Sequence, residues 1–335
     1  MSGSNAKNYF VMNPNAGTRR EQKKIAANID AACGGGGIDY QIYNTVCAGD
    51  GGAFMVRTVV SAYEKCGNDA EKLPEMRFYF AGGDGTVLEA ANAFMSLPEE
   101  LRGGRVSVGI IPVGTGNDFL RNFGTEKDFL DISRQLQGSV RKVDLLSYSR
   151  TVYDGNGSEK VTDAYCANMF NIGFDCQTVV KVNDLRGRPY MTKKTSYTVG
   201  VAATLIKLPH TELSVTLDGG EKFEGKFLLS LAANGAYCGG GYFAASEADP
   251  SDGIIDVILV KPMGRLRFIS MVGKYKKGKL LGTPTADKLL YFRKCRSVSF
   301  RSKTETDLCV DGEIERFSEV NITAVPDPFV FIVPA

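Results

Sequence analysis

The stretch Phe78-Tyr79-Phe80-Ala81-Gly82-Gly83-Asp84-Gly85-Thr86-Val87-Leu88-Glu89 decides the fold. It begins as an apolar strand, turns through adjacent glycines that hold one carboxylate, and continues as a helix predicted over residues 86–94. Adjacent glycines permit backbone angles that a side chain would forbid, and the free N–H groups at the start of a helix suit a phosphate. Asp84 would repel a phosphate, so its expected partner is Mg²⁺ or a hydroxyl. The alternative is a tight strand-to-helix turn with an N-cap aspartate.

The strand–loop–helix pattern recurs four times before residue 143. Strands are predicted at 7–12, 38–44, up to Gly82, and 106–111, and helices at 19–33 and 53–66. This order is typical of a doubly wound parallel sheet, in which ligands bind at the carboxyl ends of the strands. We therefore expect the loops at 13–18, 82–86 and 114–118, together with Thr45, to lie along one edge of the sheet.

The second half of the chain is rich in strands. Short strands are predicted at 145–153, 165–172, 213–217, 227–233, 254–259, 288–292, 297–300 and 306–310, with helices at 175–182 and 195–207. Many short strands separated by turns predict an antiparallel β-sandwich or barrel-like domain. The predicted organisation is an α/β domain over 1–143, joined by the C-terminal segment 322–335, and a β-rich domain over 144–321.

Composition excludes several classes of protein. The chain has 335 residues, and its 40 Lys+Arg against 38 Asp+Glu give a net charge of +2, which provides no drive toward nucleic acid. The N-terminus lacks the apolar core of a secretory signal, and no apolar run is long enough for a bilayer span, so we expect a cytoplasmic protein. The eight scattered cysteines indicate reduced, buried thiols. His210, the only histidine, is expected in a surface loop, so a general base would be a carboxylate.

Two further loops could bind a nucleotide. Gly114-Thr115-Gly116-Asn117-Asp118 offers a backbone, a hydroxyl and an amide to a phosphate or ribose, and Asp118 to a metal-bound water. The alternative is a capped helix start. Asn13-Pro14-Asn15-Ala16-Gly17 has the same two interpretations.

Two acidic segments follow in the second half. The turn from Asp249 to Asp256 contains three carboxylates, which repel one another unless a cation or a basic side chain neutralises them, or solvent surrounds them. Asp311-Gly312-Glu313 could present a carboxylate that takes a proton from a substrate hydroxyl, with the pair raising one another's pKa, or it could be an ordinary turn.

Basic clusters lie at Lys193-Lys194, at Arg265 and Arg267, and within 274–279. They could attract an anionic membrane surface, with an apolar face formed by Phe268, Ile269, Met271 and Val272. A solvated helix face is the alternative interpretation.

Taken together, these motifs resemble the bacterial diacylglycerol kinase-like lipid kinases, which share a catalytic core with the NAD kinase and phosphofructokinase superfamily. Asn13–Gly17 is similar to the N-P-x-x-G nucleotide loop of that family, Gly82–Thr86 to its G-G-D-G-T motif, and Gly114–Asp118 to its G-T-x-N-D loop. The acidic turn resembles one that binds a structural Mg²⁺ in some members, and Asp311–Glu313 resembles the D-G-E segment. Ala16 departs from a position where serine is common, and the segment 154–160 has no clear counterpart.

The resemblance implies ATP-dependent phosphorylation of a lipid hydroxyl, with diacylglycerol as the first expectation. Asp311 would be the base, oriented or tuned by Glu313, and Asp84 the third catalytic residue. Asp84, Asp118 and Asp144 would hold catalytic Mg²⁺, and Asp249, Asp252 and Ile254 a structural metal. The cleft between the domains would close over the reaction. ATP would contact Asn13, Pro14, Asn15, Ala16, Gly17, Thr45, Gly82, Gly83, Asp84, Gly85, Thr86, Val87, Leu88, Glu89, Gly114, Thr115, Gly116 and Asn117.

Other functions remain open at the level of sequence. The acceptor could be a sphingoid lipid, or a soluble nucleotide as in NAD kinase, and a non-catalytic lipid- or nucleotide-binding module is a third class. The expected partner is a lipid at a membrane surface, with peripheral membrane association and no nucleic acid. The sequence leaves a homodimer open.

Overall fold

The computed structural model describes residues 6–35, 37–154, 157–185 and 193–335, and the side chains of 153–162 and 193–198 lie outside that description. The chain divides into two compact units. The first contains Met1–Asp144 and Asp327–Ala335, and the second contains Leu145–Pro326. The segment 154–160, which has no counterpart in the family, and the basic pair Lys193-Lys194 fall on residues whose placement or side chains are not described.

The first unit contains a parallel sheet in the order β2-β1-β3-β4. Met12 lies beside both Asn44 and Ala81, and Gly82 lies beside Pro112, so the carboxyl ends of all four strands are level. The α/β fold predicted from the sequence is confirmed. The strands are β1 (Lys7–Met12), β2 (Tyr40–Asn44), β3 (Met76–Gly82) and β4 (Val106–Pro112).

Helices connect these strands. Thr18 and Glu21 form a capping box that starts the first helix, as the spacing Thr-x-x-Glu allows. The second helix starts three residues before the prediction, because Gly51 and Gly52 belong to it. A Cβ at Gly51 would lie 2.9 Å from Val11 Cγ1, so glycine lets this helix approach the sheet. The helices are α1 (Arg19–Gly34), α2 (Asp50–Lys65), α3 (Asp84–Met95), α4 (Glu126–Leu130) and α5 (Ile132–Leu136), with 3₁₀ turns at Ala70–Lys72, Glu99–Leu101 and Phe119–Asn122.

The C-terminal end of the chain packs into the first unit. Phe331 pairs in parallel with Val108 of β4. Its ring lies 5.2 Å from the ring of Phe119, 5.1 Å from that of Phe123 and 6.1 Å from that of Phe129, measured between centroids. Phe331 is fully buried, so the last strand completes an aromatic core.

The second unit is mainly antiparallel, as predicted, with strand order β12-β11-β10-β7-β13-β14; β8 lies beside β13, β9 beside β8, β5 beside β14 and β6 beside β5. Its strands are β5 (Ser139–Asp154, which begins in the first unit), β6 (Gly157–Cys166), β7 (Met169–Gly173), β8 (Thr211–Leu217), β9 (Glu221–Phe227), β10 (Leu229–Ala233), β11 (Ile255–Val260), β12 (Leu290–Cys295), β13 (Ser297–Val310) and β14 (Glu313–Val333). Its helices are α6 (Phe174–Leu185), α7 (Lys193–Lys207), α8 (Arg265–Lys276) and α9 (Pro284–Leu289).

Three element predictions in this unit were wrong in detail. The strand expected at 165–172 is two strands, because the chain bends at Ala167–Asn168. The strands expected at 297–300 and 306–310 are one strand, β13, whose register shifts between Arg301 and Thr306. The exposed strand β9 was not predicted, because its polar composition hides its pairing with β8.

All eight cysteines are free thiols. Six are buried, Cys66 is half-buried, and only Cys47 is exposed, so the expected buried thiols are largely confirmed. His210 is exposed, as expected. Within the described parts of the chain, no helix is both long enough and apolar enough to cross a membrane.

We predict that Phe331→Ala lowers the free energy of unfolding by about 3–5 kcal/mol, because it leaves a cavity among fully packed rings. Chemical denaturation followed by circular dichroism measures this. Phe223→Ala, on the half-exposed face of β9, is the matched control and should cost much less. Equal losses for the two variants would contradict the packing of the C-terminal strand described above.

Candidate functional site

The level ends of the four parallel strands bring four predicted segments to one edge of the sheet. The loop 13–18 follows β1, Thr45 follows β2, the loop starting at Gly83 follows β3, and the loop 113–118 follows β4. The strand order changes direction between β1 and β3, and such a switch point is where open α/β sheets bind ligands.

Asp84 joins two of these loops. Its Oδ1 accepts the backbone N–H of Asp118 at 2.7 Å and, at 3.4 Å, that of Phe119. The residue is half-buried at the first position of α3, where no side chain caps the helix. The Thr86 and Val87 N–H groups donate to Gly83 O at 2.9 and 3.1 Å, and the positive dipole end of α3 favours the Asp84 carboxylate and an anion at this turn.

The glycines of these two loops are needed for loop-to-loop packing. A Cβ at Gly114 would lie 2.5 Å from the Gly83 Cα, which no side chain permits. A Cβ at Gly82 would lie 1.9 Å from Thr86 Oγ1, so the strand-to-helix turn itself requires glycine there. The two glycine motifs thus have a structural reason beyond ligand approach, and that reason depends on both loops together.

A polar network that the sequence interpretation missed holds the loop after β4. Arg121 Nη2 donates to Gly116 O at 3.3 Å and to Glu126 Oε1 at 3.0 Å. Asn117, in a left-handed conformation with φ 51°, donates from Nδ2 to Gly114 O at 3.1 Å and to the same Glu126 oxygen at 3.3 Å. Arg121 and Glu126 therefore set the loop conformation. Only their charge could have singled them out in the sequence.

The loop after β1 is closed on itself. Asn13 Oδ1 accepts the Asn15 N–H at 2.9 Å, and Asn13 O accepts the Ala16 N–H at 3.0 Å. Gln22 of α1 donates its amide to Asn13 O at 2.9 Å and also to Ala16 O. Pro14 and Asn15 are exposed at the tip. Gln22, another residue that sequence reasoning missed, thus anchors this loop to the helix that follows it.

The remaining predicted nucleotide contacts differ in their exposure and in their hydrogen-bond partners. The Thr45 N–H donates to Met12 O at 2.9 Å, which ties the ends of β1 and β2 together. Thr115 is exposed at its loop. Val87 is buried on the inner face of α3, and Glu89 accepts the Gly52 N–H at 2.8 Å, so both side chains support helix packing.

Asp84 and Asp118 are suited to a hydrated cation. A Cβ at Gly116 would lie 2.5 Å from Asp84 Oδ2 and 3.3 Å from Asp118 Oδ2, so the two carboxylates flank this glycine. Mg²⁺ commonly binds through one or two carboxylates and keeps several waters, and this pair fits that pattern. Asp144 is buried in the first unit, and its Oδ1 accepts the Asp327 N–H at 2.8 Å. Across the described residues, no three acidic, cysteine or histidine side chains cluster to form a protein-only metal site.

In the second unit, Asp311 is buried at a two-residue hairpin turn between β13 and β14, with φ 47°. Its Oδ2 accepts the Ala167 N–H at 2.7 Å. Its Oδ1 accepts the Met169 N–H at 2.8 Å, the Asn168 N–H at 3.1 Å and the Cys166 thiol at 3.1 Å. These bonds create the bend between β6 and β7.

Burial raises the pKa of Asp311 above its ordinary value, although the N–H groups and the thiol act in the opposite direction. Glu313 is exposed, and within the described structure no hydrogen bond joins it to Asp311. The hydrogen bonds that hold the Asp311 carboxylate come from the backbone of 167–169 and the Cys166 thiol, and the role of Glu313 stays a prediction.

The acidic turn contains a basic side chain. The Lys294 ammonium lies 2.6 Å from Oδ1 of the buried Asp256, 3.9 Å from Asp252 Oδ2 and 2.9 Å from Glu247 O. Asp249 and Asp252 form local turn bonds to the N–H groups of Ser251 and Ile254. Of the interpretations that the sequence left open, neutralisation by a basic side chain is the one this turn contains. Asp249, Asp252 and Ile254, the expected ligands of a structural metal, lie on this same turn, with Asp249 and Asp252 exposed, and their role as ligands stays a prediction.

Comparisons with known proteins agree with this architecture. Residues 7–148 match the Diacylglycerol kinase catalytic domain, and residues 168–333 match the YegS C-terminal NAD kinase beta sandwich-like domain. One relative is a Staphylococcus epidermidis protein that is provisionally named a lipid kinase, and it is 32% identical over 176 residues. The match covers 52% of this chain and 50% of that protein, so it spans about half the length of that relative.

Two further relatives cover more of the chain. A diacylglycerol kinase of Bacillus subtilis is 24% identical over 308 residues, 91% of this chain and 88% of that one. The crystal structure of a provisionally named diacylglycerol kinase from Bacillus anthracis, strain Sterne, has a TM-score of 0.71 at 21% identity and covers 98% of this chain and 95% of that one. At this identity the structural match shows a shared fold.

We predict a pH-dependent cost for Lys294→Met. Burial raises the pKa of Asp256 to about 6, and Lys294 lowers it, so the variant leaves a buried carboxylate unpaired at pH 8. The expected loss of unfolding free energy at pH 8 is about 1–3 kcal/mol, reduced from that of a fully buried pair because Lys294 is 40% exposed. At pH 5 the loss should shrink, because a raised pKa favours the protonated, folded form at low pH.

Thermal or chemical unfolding at the two pH values measures this effect. Arg293→Met, one position before Lys294 on β12, removes an exposed ion pair with Glu221 of β9; it is the control and should show a small loss at both pH values. A loss for Lys294→Met that does not change between pH 5 and pH 8 would show that Lys294 does not neutralise Asp256.

Proposed function

Because the chain belongs to the family that joins a diacylglycerol kinase catalytic domain to a YegS C-terminal NAD kinase beta sandwich-like domain, we propose that it is an ATP-dependent lipid kinase that phosphorylates diacylglycerol to phosphatidate. The observation that carries the proposal is the convergence of Asp84 and Asp118, on two glycine loops, at the switch point of a parallel sheet. This edge provides carboxylates beside the positive dipole end of α3, and both suit a metal–triphosphate.

The first unit would bind the nucleotide. The start of α3, with its positive dipole end, and the loops 13–18 and 113–118 would receive the phosphates. Phosphoryl transfer depends on positioning and charge neutralisation more than on covalent chemistry, so a rigid cradle is the main requirement. Gln22, Arg121 and Glu126 support the proposal because they fix these loops through backbone and side-chain hydrogen bonds.

Asp84 and Asp118 would hold Mg²⁺, with waters completing its coordination. When bound, the ion would neutralise charge on the phosphate oxygens. Asp84 is held in place because its Oδ1 accepts the Asp118 N–H, which leaves Oδ2 beside Asp118 Oδ2 at Gly116. Arg121, with its Nε 3.6 Å from Asp118 Oδ1, keeps the second carboxylate near the first.

Asp311 would take the proton from the acceptor hydroxyl at Oδ2, which accepts one hydrogen bond, whereas Oδ1 accepts three. Burial raises the pKa of this carboxyl, and a raised pKa makes a carboxylate a better base.

Transfer of label from [γ-³²P]ATP to a panel of acceptors tests the function. Diacylglycerol in mixed detergent micelles should be labelled in a Mg²⁺-dependent reaction, and NAD should not. Preferential labelling of a sphingoid lipid would change the acceptor, and labelling of a soluble nucleotide alone would contradict the lipid-kinase proposal. Nucleotide or lipid binding without transfer to any acceptor would favour a non-catalytic module.

We predict that Asp84→Asn weakens the binding of Mg²⁺·ATP at least tenfold in calorimetric titration. The amide oxygen can still accept the Asp118 N–H, so the loops should stay in place while one anionic metal ligand is lost. Asp69→Asn, an exposed cap in the same unit, is the control and should bind normally. An unchanged affinity for Asp84→Asn would contradict the role of Asp84.

We predict that Asp311→Asn lowers kcat by about 10²–10⁴-fold, as general-base catalysis usually contributes, while nucleotide affinity stays within a factor of about two. Turnover within about tenfold of the wild type would contradict the assignment of the base. Unfolding curves of the same variant separate this effect from the loss of the bend at 167–169.

A pH profile provides the second readout for Asp311. The Cys166 thiol lowers the pKa of Asp311, so Cys166→Ala should move the acidic limb of kcat to higher pH, because the raised pKa requires a higher pH for ionisation. Cys166→Ser keeps a donor and is the matched control. An acidic limb at the same pH in both variants would show that Asp311 does not set it.

A further inference from the structure

Helix α8 faces the core with one side and leaves large apolar residues on the other. Phe268 and Met271 pack against the core of the second unit. Leu266 is 86% exposed and Ile269 is 52% exposed. The apolar face that the sequence suggested was therefore wrong for Phe268 and Met271, which point inward. The outward face consists of Leu266 and Ile269, three residues apart and so adjacent on the helix surface.

The end of α7 extends this apolar surface. Ile206 is 70% exposed, and Val199, two turns earlier on the same face, is 41% exposed. Arg265 connects the two helices, since its Nε and Nη2 donate to Ile206 O at 3.1 and 2.6 Å. Val199, Ile206, Leu266 and Ile269 are called the apolar patch below. Isolated exposed aliphatic residues are ordinary, but four on two connected helices mark an interaction surface.

The segment that contains Leu266 and Ile269 carries charge of one sign. Residues 265–279 contain six basic residues and no acidic one. The exposed basic side chains are Lys207, Arg265, Arg267, Lys274, Lys276, Lys277 and Lys279, called the basic rim below. Within the described part of the chain, none of the seven forms an ion pair with a carboxylate of this protein. Their charge is therefore available to an external anionic partner.

We propose that the apolar patch and the basic rim dock the protein on the surface of an anionic lipid bilayer. The docking proposal rests on the proposed function in one respect: a lipid kinase would meet its acceptor at such a surface. Lysine-rich helices with exposed leucine and isoleucine suit the boundary between headgroups and acyl chains, where anionic lipids attract the cations. Protein interfaces are depleted in lysine, and a symmetric dimer through this face would bring two basic rims together.

Sedimentation with vesicles tests the proposal in the absence of ATP. The full-length protein should bind phosphatidylglycerol/phosphatidylcholine vesicles and should not bind pure phosphatidylcholine vesicles. The double variant Leu266→Ser/Ile269→Ser and the double variant Arg267→Glu/Lys274→Glu should each lower partitioning at least tenfold. Each basic residue near an anionic surface contributes about fivefold to binding, so reversal of two charges gives that size of effect. Raising the salt concentration should weaken the binding of the wild type.

Matched controls place the same changes elsewhere. Val140→Ser removes an exposed aliphatic residue from the first unit, and Lys222→Glu reverses an exposed charge on β9; both should bind vesicles as the wild type does. If the wild type does not bind anionic vesicles, or if the controls lose as much binding as the two double variants (called the patch variants), the proposed docking surface is contradicted. If the patch variants instead change the sedimentation coefficient of the free protein, the surface is a dimer interface and the proposal fails.

Kinase assays separate this inference from the proposed function. With diacylglycerol in neutral detergent micelles, the patch variants should transfer phosphate at the wild-type rate, and with anionic vesicles they should be slower at least tenfold. Vesicle binding by a protein that phosphorylates no lipid supports docking and contradicts the kinase. Phosphorylation in micelles by a protein that does not bind vesicles supports the kinase and contradicts docking.

Discussion

The contact between the backbones of Gly83 and Gly114 is the constraint on which the candidate site depends. It brings the loops after β3 and β4 together, and only then can the Asp84 carboxylate accept the Asp118 N–H from the other loop. Any side chain at Gly114 would push the loops apart and separate the two carboxylates. The geometry of the candidate metal site is therefore set by the absence of two Cβ atoms, and Arg121, Asn117 and Glu126 preserve it through their hydrogen bonds.

The second unit keeps two buried carboxylates by different means. Asp256 is neutralised by the ammonium of Lys294, whereas Asp311 is held by three backbone N–H groups and a thiol. A full positive charge beside Asp311 would lower the pKa of its carboxyl. The N–H dipoles orient the carboxylate but lower its pKa less than burial raises it. This difference fits a structural role for Asp256 and a proposed chemical role for Asp311. It also explains why nearby acidic residues in the sequence do not by themselves indicate a metal.

The sequence predicts the parallel sheet well because each strand is apolar and each loop is rich in glycine or asparagine, and strands of that kind end at one edge. It also predicts that Asp84 and the loop 114–118 lie together, since both follow adjacent strands. It cannot predict Lys294 beside Asp256 or Asp311 beneath the bend at 167–169, because these pairs are far apart in the chain and depend on antiparallel register. The sequence also cannot predict that Leu266 is exposed while Phe268 is packed inward, because this depends on which elements α8 packs against.

The central claim is that the loops after β3 and β4 form one metal–nucleotide site at the carboxyl edge of the parallel sheet. Paramagnetic relaxation tests it most directly, with Mn²⁺·nucleotide as the probe and the ¹³C-labelled methyl group of Met12, at the carboxyl end of β1, as the reporter. The account predicts strong broadening of the Met12 signal on addition of Mn²⁺·nucleotide, greater than that of Met76 at the opposite end of β3, and the loss of this broadening in Asp84→Asn. Saturated nucleotide binding that leaves the Met12 signal unbroadened would contradict the account.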